Sequence, residues 1–415
     1  MPRRALDSGC GAGVIGICSA LAVRALAPDD GLYTRCQDRD ELARLVTSRN
    51  AEKNNIPPGM LEAFAEPLLA GPVNEKWDLI LTNIPAKAGN PVLEDFVRRS
   101  CSLLNPEGRV IMVAVNTLAD FFRGTIADCG AKLLSEEKSP GHTVFVYRGE
   151  TEIPALPVNI GSGFFNSYPF YLRESPACDI EGIQIKLETI HGASGFDKPG
   201  SAVLASAKLL CRLGREKIPR NDKPVLVHEP GQGFFTNWLF EFLSATNGQK
   251  MILSGRNVLS LEAARHNACS INGAEVSAVP AVDLQYAKEA LLRAGKGQYS
   301  FITAFPEILP QTKTVKAPQN TDQLTAIWNS LPPLLAEGGL FLAVFGSSDA
   351  ERFDRKKPLG FARLGRVKRG GFCAIAYKRA DSREQRAESR EQRADSSERK
   401  VEGLLVSLNE YVQQF

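Results

Sequence analysis

The sequence predicts an α/β fold: two doubly wound, mostly parallel sheets in tandem, the second a worn copy of the first, with a charged C-terminal tail. Three observations predict it. "ALDSGCGAGVIGICSAL", residues 5–21, reads as strand, glycine-rich turn and helix. Short apolar runs then alternate with helical periodicity through residue 148, the order of a parallel sheet with crossover helices. From residue 223 the same order begins again at a second Gly-x-Gly turn.

The first strand is "RALD". Gly9, Gly11 and Gly13 follow it in alternation, and "VIGICSALAVRAL" carries helical spacing. Glycine lets the backbone bend sharply and lets a ligand approach without a Cβ in the way. The free N–H groups at a helix start point into the same space. "GLYTRCQD" is the second strand and "RDELARLVTSRNAEKN" its helix. Asp38 closes that strand, where a carboxylate can accept from both hydroxyls of a ribose. Asp40 is the alternative acid, or a helix cap. "KWDLILTNIPAKAG", residues 76–89, is a strand ending in an Asn-x-Pro turn. "SLLNPEGRVIMVAV" and "HTVFVYR" supply the next two strands. Ligands of such sheets sit at the carboxyl ends of the strands. Gly9–Gly13, Asp38 and Asn83 all fall there.

This arrangement resembles the class I S-adenosylmethionine-dependent methyltransferases, which are Rossmann-like. "LDSGCGAG", with Asp7, Gly9, Gly11 and Gly13, is similar to their first motif. Asp38 and Asp40, with Asn50 and Asn54 downstream, are similar to their second, and "TNIPA" to their Asn-Pro-Pro-aromatic motif. The resemblance covers nearly all of residues 5–148. It implies S-adenosylmethionine as cofactor, held by those two acids, Asp7 and the three glycines. A nicotinamide cofactor competes less well, because an Asn-x-Pro strand end has no part in hydride transfer. Asn83, with the backbone carbonyls of Ile84 or Pro85, suits a methyl transfer to an exocyclic amine: two acceptors orient its two hydrogens. The bland alternative is an Asn capping a turn before Pro. Ala86 stands where that motif has an aromatic, so "NIPA" is also similar to the strand end of ribosomal-protein lysine methyltransferases.

In the second half "KPVLVHEPGQGFFTNWLFEFL" repeats strand, turn and helix. "EAARHNACSING", "YSFITAFPEIL" and "LPPLLAEGGLFLAVFG" echo three further stretches of the first half. The chemistry fades in the echo. The third glycine is expected at Phe235, the ribose acid at Gly255, Asn83 at Phe305 and Asp78 at Ser300, while Glu229 keeps a carboxylate and Gly231 and Gly233 keep the turn. Losing the ribose acceptor costs a few kcal/mol, so the second copy is read as a non-catalytic partner. "IKLETIHGASGFDKPGSAVLASAKLLC", residues 185–211, resembles the approach segment of ribosomal small-subunit guanine-N2 methyltransferases, which also pair an active with a degenerate domain. There the degenerate copy comes first; here the order is reversed, or a further N-terminal domain is missing. The family's N-terminal lid element is expected to be absent, or replaced by residues 161–211.

The expected divisions are 1–150 for the cofactor-binding domain, 151–160 for a linker, 161–379 for the degenerate domain and 380–415 for the tail. "ADSREQRAESREQRADSSERK" in the tail repeats every seven residues and reads as a solvated helix or spacer, with an amphipathic "VEGLLVSLNEYVQQF" after it.

At 415 residues, with 43% hydrophobic and 23% charged residues, the chain has the composition of a soluble globular protein. No run long enough for a membrane span or a secretory signal appears. Nine dispersed cysteines without a C-x-x-C pair argue for reduced thiols in the cytoplasm and against a disulfide frame or a zinc site. Of the four histidines, His142 at a strand start and His228 before the second glycine turn have no Ser or Cys partner at useful spacing, which leaves hydrolase chemistry unsupported. The net charge is +3, and the excess of Lys and Arg lies beyond residue 150. "ERFDRKKPLGFARLGRVKRGG", residues 351–371, interleaves eight basic side chains with Phe353 and Phe361. It is read as an RNA contact, phosphates on the cations and bases on the rings, or else as a solvated loop and hairpin. The leading expectation is methylation of an exocyclic amino group of RNA, ribosomal RNA above all, as a step of rRNA processing. Ribosomal-protein methylation and a non-catalytic RNA-binding or assembly role are the alternatives.

Overall fold

The computed structural model describes residues 2–26, 31–71, 75–149, 163–193, 195–219, 222–243, 250–271, 274–308 and 322–381. The expected linker and the tail beyond residue 381 lie outside them. The first half runs β1 (Arg4–Ser8), α1 (Val14–Leu26), β2 (Tyr33–Asp38), α2 (Glu41–Lys53), β3 (Leu61–Ala65) and β4 (Trp77–Asn83). It continues with α3 (Asn90–Ser102), β5 (Leu104–Val115), α4 (Ala119–Asp128), β6 (Ala131–Lys138) and β7 (His142–Gly149). These strands form one seven-stranded sheet, order β3-β2-β1-β4-β5-β7-β6, with β7 antiparallel to β5 and β6. Strands β1 and β4 are apolar and pair in parallel on both edges. That is why they read as short continuous hydrophobic runs rather than alternating ones.

A connecting stretch follows: α5 (Phe164–Ser167) and a two-stranded ribbon of β8 (Ala177–Ile180) and β9 (Ile183–Lys186). The second series is α6 (Ser201–Leu213), β10 (Val225–His228), α7 (Phe234–Leu243), β11 (Lys250–Gly255), α8 (Val258–Cys269) and β12 (Glu275–Pro280). It ends with α9 (Lys288–Gly295), β13 (Tyr299–Ala304), α10 (Gln323–Leu334), β14 (Leu335–Gly346), α11 (Ser347–Arg355), β15 (Phe361–Arg369) and β16 (Phe372–Arg379). The second sheet repeats the first strand for strand, β12-β11-β10-β13-β14-β16-β15. Two α/β sheets in tandem are what the sequence predicts.

By packing, the chain divides into two compact units, residues 1–200 with 227–287, and residues 201–226 with 288–415. The core of the first unit gathers Trp77, Phe96, Phe122, Phe145 and Tyr147 under the sheet, and Phe165, Tyr168, Tyr171, Ile190, Leu259 and Ala263 join it. In the second unit Trp328 stacks on Phe353, ring centroids 4.3 Å apart, with Phe361 and Tyr377 edge-on to it. This corrects one expectation. Phe353 and Phe361 are buried core rings and cannot stack on bases; residues 351–371 run from the end of α11 through a short loop into β15, which turns at Gly370 and Gly371 into an antiparallel hairpin with β16, as the alternative expected. No helix among the described residues is long and apolar enough to cross a membrane.

Candidate active site

The glycine turn is tied to its neighbours by the chain's own hydrogen bonds. The Gly9 and Cys10 amides both donate to the Gln37 carbonyl, at 2.8 and 3.1 Å. From α2, Thr47 Oγ1 donates to the Gly11 carbonyl and Asn50 Nδ2 to the Ala12 carbonyl. The glycines then differ in task. A Cβ on Gly9 would meet nothing within 4 Å, whereas one on Gly13 would lie 2.7 Å from Thr47 Cγ2. Gly9 leaves open ground at the strand tip; Gly13, at φ +79°, lets the turn pack on α2.

Asp38 faces this turn. Its Oδ2 accepts from the Gly11 amide and its Oδ1 from the Asp40 amide, both at 3.0 Å. Asp40 is turned elsewhere: it caps α2 through the Leu42 amide, 2.9 Å, and pairs with Arg256. Asp7 lies beneath the turn, 1% exposed. Its Oδ2 accepts from the Gly16 amide, 2.8 Å, while Oδ1 is buried with no partner. Burial pushes its carboxyl up to about 6; the Gly16 N–H opposes the shift and the Asp38 charge adds to it.

Across the tip of β1, Thr82 Oγ1 donates to the Ser8 carbonyl at 2.8 Å and fixes the end of β4 beside the glycine turn. Asn83 is the next residue and is exposed, as are Pro85, Ala86 and Lys87. The Pro85 carbonyl accepts from the Ala88 amide, 3.0 Å. Structure thus gathers Asp7, Gly9, Gly11, Gly13, Asp38 and Asn83 around the tips of β1, β2 and β4, and turns the Asp40 carboxylate away.

Two side chains went unremarked in the sequence. His191 packs on Gly89, just after the Asn-x-Pro turn. Burial lowers its pKa and Arg173 lowers it further, against Asp197. Arg256 is the partner of Asp40. Neither has a sequence signal, because each contact spans about a hundred residues or more of chain.

The second turn keeps the frame and loses the groups. The Glu229 amide donates to Ser254 as Gly9 does to Gln37, and Asn267 Nδ2 donates to the Gln232 carbonyl as Asn50 does to Ala12. Gly231 and Gly233, at φ +58° and +103°, stand where Gly11 and Gly13 stand. The lost glycine is therefore the first, not the third. Glu229 occupies the place of Gly9 at φ +57°, and Val227 that of Asp7. Phe235 lies inside α7, buried against Trp238. Gly255 ends β11 as Asp38 ends β2, and Phe305 follows β13 where Asn83 ends β4. Among the described residues no cluster of His, Cys, Asp or Glu could hold a metal ion.

Residues 1–123 match the family described as methyltransferase small domain. Among solved structures the chain is similar to the T. Thermophilus 16S rRNA N2 G1207 methyltransferase (RsmC), in complex with AdoMet and guanosine. The likeness has 18% identity and a TM-score of 0.60, and covers 91% of this chain and 88% of that one, a likeness of fold over nearly the whole length. A shorter match is to a ribosomal protein L11 methylase from Lactobacillus delbrueckii subsp. bulgaricus: 22% identity, 36% of this chain, 72% of that one, TM-score 0.31.

Proposed function

We propose that the chain, whose residues 1–123 match the methyltransferase small domain family, is an S-adenosylmethionine-dependent methyltransferase that methylates an exocyclic amino group of RNA, ribosomal RNA above all, in the cytoplasm. The catalytic domain of this reading is 1–150. Residues 161–379 are its non-catalytic partner, joined through 151–160, and help to hold the substrate.

The residues present fit the cofactor. Open ground over Gly9 and Gly11 admits it against backbone, and Asp7 keeps a buried carboxyl oxygen with no partner beneath that turn. Asp38 would hold the ribose hydroxyls. When bound, the cofactor supplies an electrophilic methyl group on a sulfonium. Asn83 carries the proposal: an exposed amide at the tip of β4, tied beside the glycine turn through Thr82. Its side-chain carbonyl accepts one hydrogen of the amine and the Ile84 carbonyl the other, which aims the nitrogen lone pair. Pro85 stiffens that turn, its own carbonyl being engaged by Ala88. The similar fold of an RNA guanine-N2 methyltransferase supports RNA as the substrate class. Beyond the site, Arg352, Arg355, Arg366 and Lys368 in the 351–371 stretch offer cations to phosphates, Arg352 and Lys368 by exchange from half-exposed ion pairs with Asp349 and Glu351. With both rings buried, base stacking has no part in this contact.

The test is transfer of labelled methyl from S-adenosylmethionine to unmodified ribosomes, followed by separation of RNA from protein. Label is expected in RNA, and Asn83→Ala should lower the rate on the order of a hundredfold. Label in ribosomal protein would favour the second reading, for which the small, exposed Ala86 leaves room for a lysine chain. Uptake of the cofactor with no transfer to either would leave a non-catalytic RNA-binding or assembly role.

A further inference from the structure

The strand end that carries Asp38 is held from outside its own sheet. Asp40 and Asn257 form an isolated antiparallel bridge. The Glu41 amide donates to the Arg256 carbonyl and the Val258 amide to the Arg39 carbonyl, each at 2.9 Å. The two turns are counterparts in the repeat, β2 into α2 and β11 into α8, and both belong to the first packed unit. Each puts an acceptor at its helix cap: Asp40 takes the Leu42 amide, Asn257 the Leu259 and Ser260 amides.

The match breaks at the charges. Asn257 is neutral, and Arg39 donates to the Gly192 carbonyl. Asp40 is an anion, and Arg256 grips both of its oxygens, Nε on Oδ1 at 3.1 Å and Nη2 on Oδ2. A fork-shaped cation is thus supplied on one side only, the side of Asp38. Asp38 and Asp40 lie two residues apart at one strand end, the first facing the Gly11 amide and the second turned to Arg256. The Asp40 amide also donates to Asp38 Oδ1, so any swing of Asp40 moves the carboxylate that faces Gly11.

Arg256 is itself anchored by the side chain that disables the second turn. Glu229, standing where Gly9 stands, accepts the Arg256 amide on Oε1 at 2.8 Å. The substitution that closes the worn turn fixes the residue that braces the working one.

We propose that Arg256 is a positioning residue for the cofactor: it holds Asp40, and through the Asp40 amide keeps the Asp38 carboxylate set to accept the ribose hydroxyls. This rests on the reading of S-adenosylmethionine at the tips of β1 and β2. The degenerate copy then serves the site directly, apart from any contact with substrate.

The experiment is calorimetric titration of the full chain with S-adenosylhomocysteine, with steady-state kinetics alongside. Arg256→Ala and Asp40→Asn should each weaken binding about five- to tenfold, and the double variant should be no worse than the weaker single one. Arg256→Lys should recover most of the loss. KM for the cofactor should rise by the same factor while kcat at saturating cofactor stays put, a split that general destabilisation does not produce. If Arg256→Ala does not fold, Arg256→Lys and Asp40→Asn carry the test. Wild type that binds, Asp38→Ala that does not, and Arg256 and Asp40 variants that bind like wild type would overturn this inference alone. Wild type that takes up no S-adenosylhomocysteine would overturn the cofactor reading together with it.

Discussion

Asp7 shows what the site costs the fold. One carboxyl oxygen sits on the Gly16 amide and the other on nothing, in a place 1% exposed. With its acid pushed up to about 6 from 3.8, the folded chain keeps this proton where the unfolded chain has released it. The stabilisation is complete below the unfolded value and is lost as pH rises through about 6, a swing of about 3 kcal/mol. Asp7→Asn copies the protonated shape and still accepts from Gly16. Its stability advantage over wild type, read from urea unfolding, should grow between pH 4 and 6 and level off above; an advantage that is flat with pH would disprove the assignment. At this scale the sequence is legible where chemistry and spacing coincide, as at Gly9, Gly13 and Asp38. Asp40 was ambiguous because an acid at a strand end serves a ligand and a helix cap equally well. Arg256 was silent because its partner lies 216 residues away.

Between elements, the packing of α3 makes a sharper demand than its amphipathic pattern reveals. Asp95 and Arg99, one turn apart, pair through two hydrogen bonds at 2.8 and 2.9 Å, each residue under 10% exposed. The Arg99 guanidinium also lies over the rings of Tyr168 and Phe170, 5.3 and 5.4 Å from their centroids, which seats the 164–171 stretch on the helix. Burial raises the Asp95 pKa despite the opposing pull of Arg99. Arg99→Met leaves that acid buried without its cation and should lower stability by about 3 kcal/mol. Asp95→Leu added to it should recover much of the loss, because the orphaned acid goes too. Urea denaturation of the single and double variants checks both, and a double variant as unstable as the single would refute the account. Elements themselves were readable from hydrophobic period. What misled was matching residues by kind. Acid matched to acid put Glu229 opposite Asp7 and moved the missing glycine to Phe235; positive φ and shared hydrogen bonds put Glu229 opposite Gly9. The rings in 351–371 misled in the same way, since alternation with cations does not tell a stacking ring from one that fills a core.

For the whole molecule, two sheets of one strand order pose a question of number: does a chain with two such frames bind one cofactor or two? The duplication was plain in the sequence because both copies keep the hydrophobic runs that build the sheet. Their difference lies in a few strand-tip residues that folding does not require. Gly255 offers no acceptor to a ribose, and each unpaired hydroxyl costs about 1–3 kcal/mol. Glu229 fills the ground that Gly9 leaves open, and its carboxylate lies 3.0 Å from where a Cβ on Gly255 would stand. Together these should weaken a second site on the order of a thousandfold. Titration with S-adenosylhomocysteine should therefore saturate at one molecule per chain, and Asp38→Ala should remove that single event. Two events in the wild type, or one surviving in Asp38→Ala, would mean that the second frame still binds. The second copy would then have lost catalysis only, and the bond from Arg256 to Asp40 would still brace the first.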